Sequence, residues 1–324
     1  FQHELLFWPI PWELLWRIAP AHTKRLIEAQ RYHFRSLEEP EDYRFCRLVH
    51  LWRPPERMCS GGGSFGWIVD GAPPMDACAF VYDQSRAPVW LRWSRGPIEY
   101  LWQERRFETG LFKTTEKQTK HPGSRVGADA LIALHAFRAM DYLPEEVEGW
   151  YRDKGMEMLS VIDRYAWVES DRAYAHVTLP DGTVHVPHNT KNESPTSEQK
   201  EKAKELPSSR LWAHHWMPVY YLTYGTGERG YMPFMWRAAL QGWKRTKGPS
   251  VAQKMSKRMA EVHRREYPPR LSVSPHRARQ ALRPGDLGFM INNLLMMYEL
   301  SGDGSYLGDA MVVADDAIAL LWTG

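Results

Sequence analysis

The sequence predicts an all-α protein in which helical hairpins stack side by side and close into an (α/α) toroid. Three observations carry this. Two stretches near the end of the chain repeat one pattern: Tyr221-Leu-Thr-Tyr-Gly-Thr-Gly-Glu-Arg-Gly-Tyr231 and Tyr298-Glu-Leu-Ser-Gly-Asp-Gly-Ser-Tyr306 each follow an apolar helical run, break at Gly-(Thr/Asp)-Gly and return through an aromatic. Five apolar helix pairs recur, with Pro or Gly turns, at intervals of roughly 40–60 residues, too long and too variable for a HEAT or TPR solenoid. Only residues 172–187 alternate as a strand pair would, around Leu179-Pro-Asp-Gly-Thr183 with its Asp-Gly turn.

Taken in order, the first hairpin is Trp12–Ile18 followed by Thr23–His33, with Pro20 ending one helix and Thr23 capping the next. Residues 36–72 read as irregular, with Pro54-Pro55 and Gly61-Gly-Gly-Ser64 as breakers. The second hairpin runs from Pro74 to about Trp102, with Pro88 near its turn and Gly96-Pro97 near it further on. A polar connection, Arg105–Val126, leads to the third. Ala128–Met140 has helical apolar spacing, Asp141–Pro144 breaks it, and Glu145-Glu-Val-Glu148 puts acids into the first turn of a helix reaching Trp167. Residues 172–210 form an insert, a β-hairpin followed by a mobile polar loop. The fourth hairpin covers 211–244, a basic helix lies near 250–266, and the fifth hairpin covers 286–322. No strong boundary interrupts the chain, so 1–324 is expected to be one domain, cut from something longer at both ends.

Composition narrows the function. Fifteen Trp and 13% aromatic residues fit either a large helical core or a cleft lined with rings that stack on the C–H faces of sugars. Net charge is +3, yet Lys244–Arg283 holds twelve Lys or Arg and two acids, which fits either a solvated helix face or attraction to a polyanion. No nucleic-acid motif accompanies that charge, so nucleic acid is not an expected partner. No apolar run approaches the ~20 residues of a membrane span. Cys46, Cys59 and Cys78 fit neither a zinc knuckle nor a disulfide framework. A secreted or periplasmic location is favoured over a cytoplasmic one, and oligomeric state is not legible.

Several phrases resemble the (α/α)-barrel carbohydrate-active enzymes. Glu108-Thr-Gly-Leu-Phe112 looks like the "ETGL" that follows an inner helix of such barrels, and Tyr298–Ala310 is similar to their "YE-x-TGD-x-x-YL-x-x-A" hairpin. The opening His3-Glu-Leu-Leu6, Pro11-Trp-Glu-Leu-Leu-Trp-Arg17 and Arg47-Leu-Val-His50 look most like the family 2 pectate lyases and their bacterial relatives. The resemblance implies β-elimination across an acidic, uronate-containing oligo- or polysaccharide, with a divalent metal such as Mn or Ca and an Arg base. That family keeps its Arg adjacent to one His ligand; here Leu48-Val49 separates Arg47 from His50.

Elimination needs a charge sink for the C6 carboxylate and a base for the C5 proton. The expected metal ligands are His3, Glu13 and His50. Arg47, His215 and Asp76 are the catalytic candidates. His214 and His215 sit together in Leu211-Trp-Ala-His-His-Trp216, flanked by Trp212 and Trp216; adjacent helical residues diverge by about 100°, so one of the two His faces a cavity. Trp67, Trp212, Trp216, His214 and Asn292 are expected to line a sugar, and Arg92, Arg95 and Arg125 to read a carboxylate through the guanidinium fork. His135, among Leu134, Ala136 and Phe137, is expected to be a core histidine. Asn292-Asn293 either stitch helices or reach the cavity. Two alternatives stay open: a glycoside hydrolase drawing paired carboxylates from Asp76, Glu108, Asp129 and Asp286, and a non-catalytic helical scaffold or glycan-binding protein.

Overall fold

A computed structural model describes residues 10–32, 73–113, 123–169, 172–175, 177–184, 232–267 and 284–321. Among these the chain is helical almost throughout, and the all-α class of antiparallel helical hairpins is what the sequence predicts. The helices are α1 (Trp12–Ile18), α2 (Pro20–Tyr32), α3 (Pro73–Ser85), α4 (Pro88–Glu104), α5 (Val126–Ala139), α6 (Glu145–Ala166), α7 (Met232–Lys244), α8 (Val251–Glu266), α9 (Pro284–Ser301) and α10 (Ser305–Leu321). Short strands accompany them: β1 (Ser124–Arg125), β2 (Trp167–Val168), β3 (Ala173–Tyr174) and β4 (Val177–Thr178). The fold divides into two compact units, residues 1–161 with 179–182 and residues 162–178 with 183–324.

In the first unit α3 packs against α4 and α5, and α1 against α2. Helix α5 has no solvent face: every residue from Val126 to Ala139 whose side chain is described is buried, except half-buried Arg138. Its Ala and Leu run excludes water from all sides, and such a helix must satisfy its polar groups internally. A chain of two hydroxyls and a backbone carbonyl locks three helices together. Tyr151 on α6 donates to Ser94 on α4 at 2.7 Å, and Ser94 donates to the Met75 carbonyl on α3 at 2.7 Å. Trp12, Ile27, Cys78, Phe80, Val81 and Trp90 form one apolar cluster between α1, α2, α3 and α4.

In the second unit α7 packs against α8 and α9, and α9 against α10. Trp236, Trp243, Met235, Met255, Met259, Met290 and Met297 fill the space between them. Asn293 is buried on α9, and its amide donates to the Pro233 carbonyl on α7 at 2.8 Å, so it stitches helices. The α9–α10 turn is the second copy of the repeated pattern. Gly302 adopts φ +70°, where an L side chain is strained, and its N–H bonds the Tyr298 carbonyl at 2.8 Å. The Asp303 carboxylate then accepts the Ser305 N–H at 2.9 Å and starts α10. The first copy, Tyr221–Tyr231, and the 188–209 loop lie outside the described residues.

Four local expectations are corrected. Pro20 opens α2 instead of ending α1, because the first turn needs no N–H from it. Thr23 therefore lies inside α2, and its hydroxyl bonds the Ala19 carbonyl at 3.0 Å instead of capping. Gly96-Pro97 does not break α4, which runs unbroken to Glu104. The 172–187 region is split. β3 pairs antiparallel with β2 at the end of α6, with Trp167 opposite Tyr174, while Thr178 bridges Val184. The Asp-Gly turn is present, with Gly182 at φ +86°.

Gly155 on α6 sits against the Phe137 ring of α5, and a Cβ there would meet ring atoms at 2.6 Å. Gly288 and Gly308 face open space. Gly155→Ala is expected to lower stability by roughly 1–3 kcal/mol through overpacking. Gly288→Ala or Gly308→Ala should be neutral or stabilising by up to about 1 kcal/mol. Urea midpoints at constant m would check this ordering.

Candidate functional site

A buried group of ionisable side chains sits in the first unit, where α3 meets α5. Asp76 lies in the first turn of α3 and is buried. His135 Nδ1 is 3.0 Å from one of its oxygens, and Arg138 Nε donates to the other at 2.7 Å. The spacing i, i+3 on α5 puts His135 and Arg138 on one face, opposite Asp76. Burial alone would raise the Asp76 pKa, but His135 and Arg138 outweigh it and hold the carboxyl below its ordinary value. Arg138 also donates to the Ile10 carbonyl at 2.9 Å, which brings in the segment leading to α1.

Tyr142 extends the group toward solvent. Burial raises its hydroxyl pKa, and so do a hydrogen bond with Glu13 and the charge of Asp76. Glu13 on α1 is exposed. The set thus grades from exposed Glu13 through half-buried Tyr142 to buried Asp76 and His135. His135 Nε2 is buried and has no hydrogen-bond partner. Chemically, the arrangement holds an ionised aspartate, a cation and a neutral phenol together; it braces three segments of chain and offers Glu13 and Tyr142 at its surface.

Asp129 occupies the other end of α5. It is fully buried, its Oδ2 accepts from Ser124 Oγ at 2.6 Å and from the Phe112 N–H at 3.5 Å, and Oδ1 has no hydrogen-bond partner. Burial pushes its pKa up to about 8, against the lowering by Ser124 and Phe112. It is therefore an acid at neutral pH, held under the Glu108–Phe112 turn. The Glu108 side chain is exposed.

Trp102, Arg106, Lys154 and Glu157 make a half-buried patch on α4 and α6. Trp102 Nε1 donates to Glu157 at 2.9 Å, Arg106 pairs with Glu157 at 2.7 Å, and both Arg106 and Lys154 lie over the Trp102 ring. Burial would raise the Glu157 pKa, but Trp102, Arg106 and Lys154 hold it low.

The second unit centres on Asp163 at the end of α6. It accepts from Tyr174 at 2.8 Å, Arg258 at 2.6 Å and Lys254 at 2.7 Å. Arg258 stacks 4.0 Å over the Trp167 ring. Further along α8, Arg264 pairs with Asp309 at 2.6 Å and lies over Tyr306, and Glu261 pairs with Arg172. The basic helix is thus partly consumed by internal pairs. His263 stacks against Tyr267, and burial, then Arg264, lowers its pKa to about 3, so it is neutral.

The sequence candidates are dispersed. Arg92 is exposed on α4. Arg95 is half-buried with its guanidinium 5.2 Å from the Trp150 ring centroid. Arg125 falls in β1. Asn292 is exposed and its amide donates to the Gly288 carbonyl of its own helix. His3, Arg47, His50, Trp67, Trp212, His214, His215 and Trp216 lie outside the described residues, as do the side chains of Arg125 and Asp286. Of the candidates among the described residues, Glu13 and Asp76 come to one cluster, through Tyr142. Sequence reasoning passed over Arg138, Tyr142, Glu157 and Asp163. The i, i+3 spacing of His135 and Arg138 in an otherwise apolar helix was the available signal for the first. Among the described residues no group of three or more His, Cys, Asp or Glu could hold a metal, and no helix is long and apolar enough to cross a membrane.

A raised pKa means that the folded state favours the protonated acid. The Asp129 contribution is full below the unfolded value near 4 and falls as pH rises toward about 8. Asp129→Asn should therefore gain stability relative to wild type between pH 5 and pH 8.5, by roughly 1–3 kcal/mol, as a neutral amide replaces the buried charge. Thermal melts of both proteins across that range would check it; a constant difference would contradict it.

No protein-family profile and no curated relative matches the chain. Among solved structures it is similar to one described as the crystal structure of D-mannose isomerase, with a TM-score of 0.53 and 14% identity over 93% of this chain and 72% of that one. The chain shares the fold of that protein, and this agrees with the all-α, (α/α) toroid class that the hairpin repeats predict.

Proposed function

We propose that this protein is a carbohydrate-active enzyme whose reaction begins by removing a proton from a carbon next to a carbonyl. The observation that carries the reading is the fold shared with D-mannose isomerase over 93% of the chain. Aldose–ketose isomerisation takes the C2 proton, forms an enediol and returns a proton to C1. β-Elimination at a uronate takes the C5 proton next to the C6 carboxylate and expels the O4 substituent. Both need a base near neutral pKa and a donor that steadies the developing oxyanion.

Isomerisation of a free sugar is the first reading, because the shared fold favours it. Elimination on an acidic glycan is the second, favoured by the cation excess of Lys244–Arg283. In either reaction we assign the proton transfer to His215, flanked by Trp212 and Trp216 as stacking platforms, with His214 beside it. Arg47, Arg95 and Arg125 are the guanidinium candidates for the oxyanion or carboxylate. Asp76 is left out of the reacting groups, since its carboxylate is already bonded by His135 and Arg138 of α5. Any divalent ion held by His3, Glu13 and His50 would supply a charge sink for the developing oxyanion.

The test is a panel of free hexoses and of uronate polymers, with and without Mn²⁺ or Ca²⁺. Ketose formation with solvent deuterium incorporated at C1 or C2 supports isomerisation; ultraviolet absorbance of an unsaturated uronate supports elimination; new reducing ends alone support hydrolysis. His215→Ala should cost about 10²–10⁴-fold in kcat with an unchanged melting curve, as loss of a general base does. An active panel with full activity in His215→Ala would remove that residue from the site, and silence across the panel would sink the enzyme reading.

A further inference from the structure

Among the described residues, the exposed large apolar side chains fall on the first and last helical hairpins alone. On α1 they are Leu14 and Ile18, 53% and 71% exposed and about one turn apart. On the last hairpin they are Tyr298 of α9 and Leu307, Met311, Val312 and Ile318 of α10, with Met311 and Ile318 each 62% exposed. Leu307, Met311 and Ile318 recur at i, i+4 and i+11, so they share one stripe of α10. Tyr306, Ala310 and Val313 form another stripe of the same helix and are buried. A helix apolar on both sides needs cover on both, and an outward hairpin of a helical stack needs a polar face to rest in water. The last hairpin has the reverse, and an exposed apolar patch of this kind marks a protein contact. The two hairpins also differ in charge. By sequence, residues 284–321 hold six acids and no Lys or Arg, whereas residues 12–32 hold four Lys or Arg and two acids. Glu299, Asp303 and Asp315 are exposed on the last hairpin, and Arg17 and Arg25 on the first.

We propose that the last hairpin of one copy of this chain docks on the first hairpin of a second copy, a head-to-tail contact between unlike faces. Leu307, Met311 and Ile318 lose water against Leu14 and Ile18, which drives the association. The charges select the pairing. Two last hairpins facing each other would set acids against acids, while an acidic apolar face meets a basic apolar one with favourable sign. Whether two copies close on each other or more copies follow in a row, the same contact is made. It is independent of the reaction, because Leu14, Ile18, Met311 and Ile318 are not site candidates.

The experiment is sedimentation velocity of the 324-residue chain across a concentration series, with two surface variants. Wild type is expected to grow beyond the monomer mass as concentration rises. Leu14→Asp spoils the first hairpin and Met311→Asp the last, so each alone should weaken self-association by about tenfold or more. Both side chains are exposed, so the melting curves should match wild type; Ile18→Asp and Ile318→Asp test the same faces if either first choice fails to fold. The deciding sample is an equimolar mixture of Leu14→Asp and Met311→Asp. The first keeps an intact last hairpin and the second an intact first hairpin, so the mixture should form a dimer that neither variant forms alone. A wild type that stays monomeric at every concentration would overturn the proposal, since the faces then serve some other occupant, such as a further helical segment. Loss of association in Met311→Asp but not in Leu14→Asp, or a mixture that stays monomeric, would show last-on-last pairing or no pairing and overturn it as well.

Discussion

Burial of α5 on every side is the constraint on which the first unit depends. A helix whose described side chains are buried from Val126 to Ala139, apart from Arg138, must be surrounded, so α3 and α6 are fixed against it. It must also find internal partners for any polar group it carries. Asp129, His135 and Arg138 are those groups, and each determines something outside α5. Asp129 holds Ser124 and the Phe112 N–H. His135 and Arg138 fix the Asp76 carboxylate and, through Arg138, the Ile10 carbonyl. The two ends of α5 illustrate opposite solutions to the same desolvation cost. The Asp76 carboxyl is held below its ordinary pKa by His135 and Arg138 beside it, and burial pushes Asp129 toward its acid form because hydrogen bonds are its compensation.

The second unit is organised differently, by apolar Met and Trp packing between α7, α8 and α9 and by a rim of charge along α8. Asp163 gathers Tyr174, Lys254 and Arg258, which fastens α8 to the end of α6 and to the β2–β3 ribbon. Arg264 does the same toward α10. A helix that reads as one basic face therefore spends Lys254, Arg258 and Arg264 in holding the unit together. Trp12, Trp90 and Trp236 are core residues, and Trp102 and Trp167 lie under cations.

A fold shared at 14% identity conveys how helices pack and leaves the chemistry to side chains. The proposed isomerisation and elimination are joined by one step, loss of a proton beside a carbonyl.

Much of the fold was legible because it rests on local rules. Apolar spacing marked α5 and α6, Asp141–Pro144 marked the break between them, and the Gly302-Asp-Gly304 turn announced the last hairpin, since only Gly fits φ +70° without strain. The errors were local too. Pro20 and Gly96-Pro97 are ambiguous signals, because proline serves a first helical turn as readily as it ends a helix, and tertiary packing carried α4 through. The candidate site was less legible. Nothing in the sequence pairs Asp76 with Arg138, 62 positions away, or Asp163 with Arg258, 95 away. By itself, then, the sequence determined an all-α chain of Gly- and Pro-turned hairpins and a surplus of cations near its end. Only the tertiary structure decided which charges are matched, because matching is a property of distance and burial, and those are set when the helices pack.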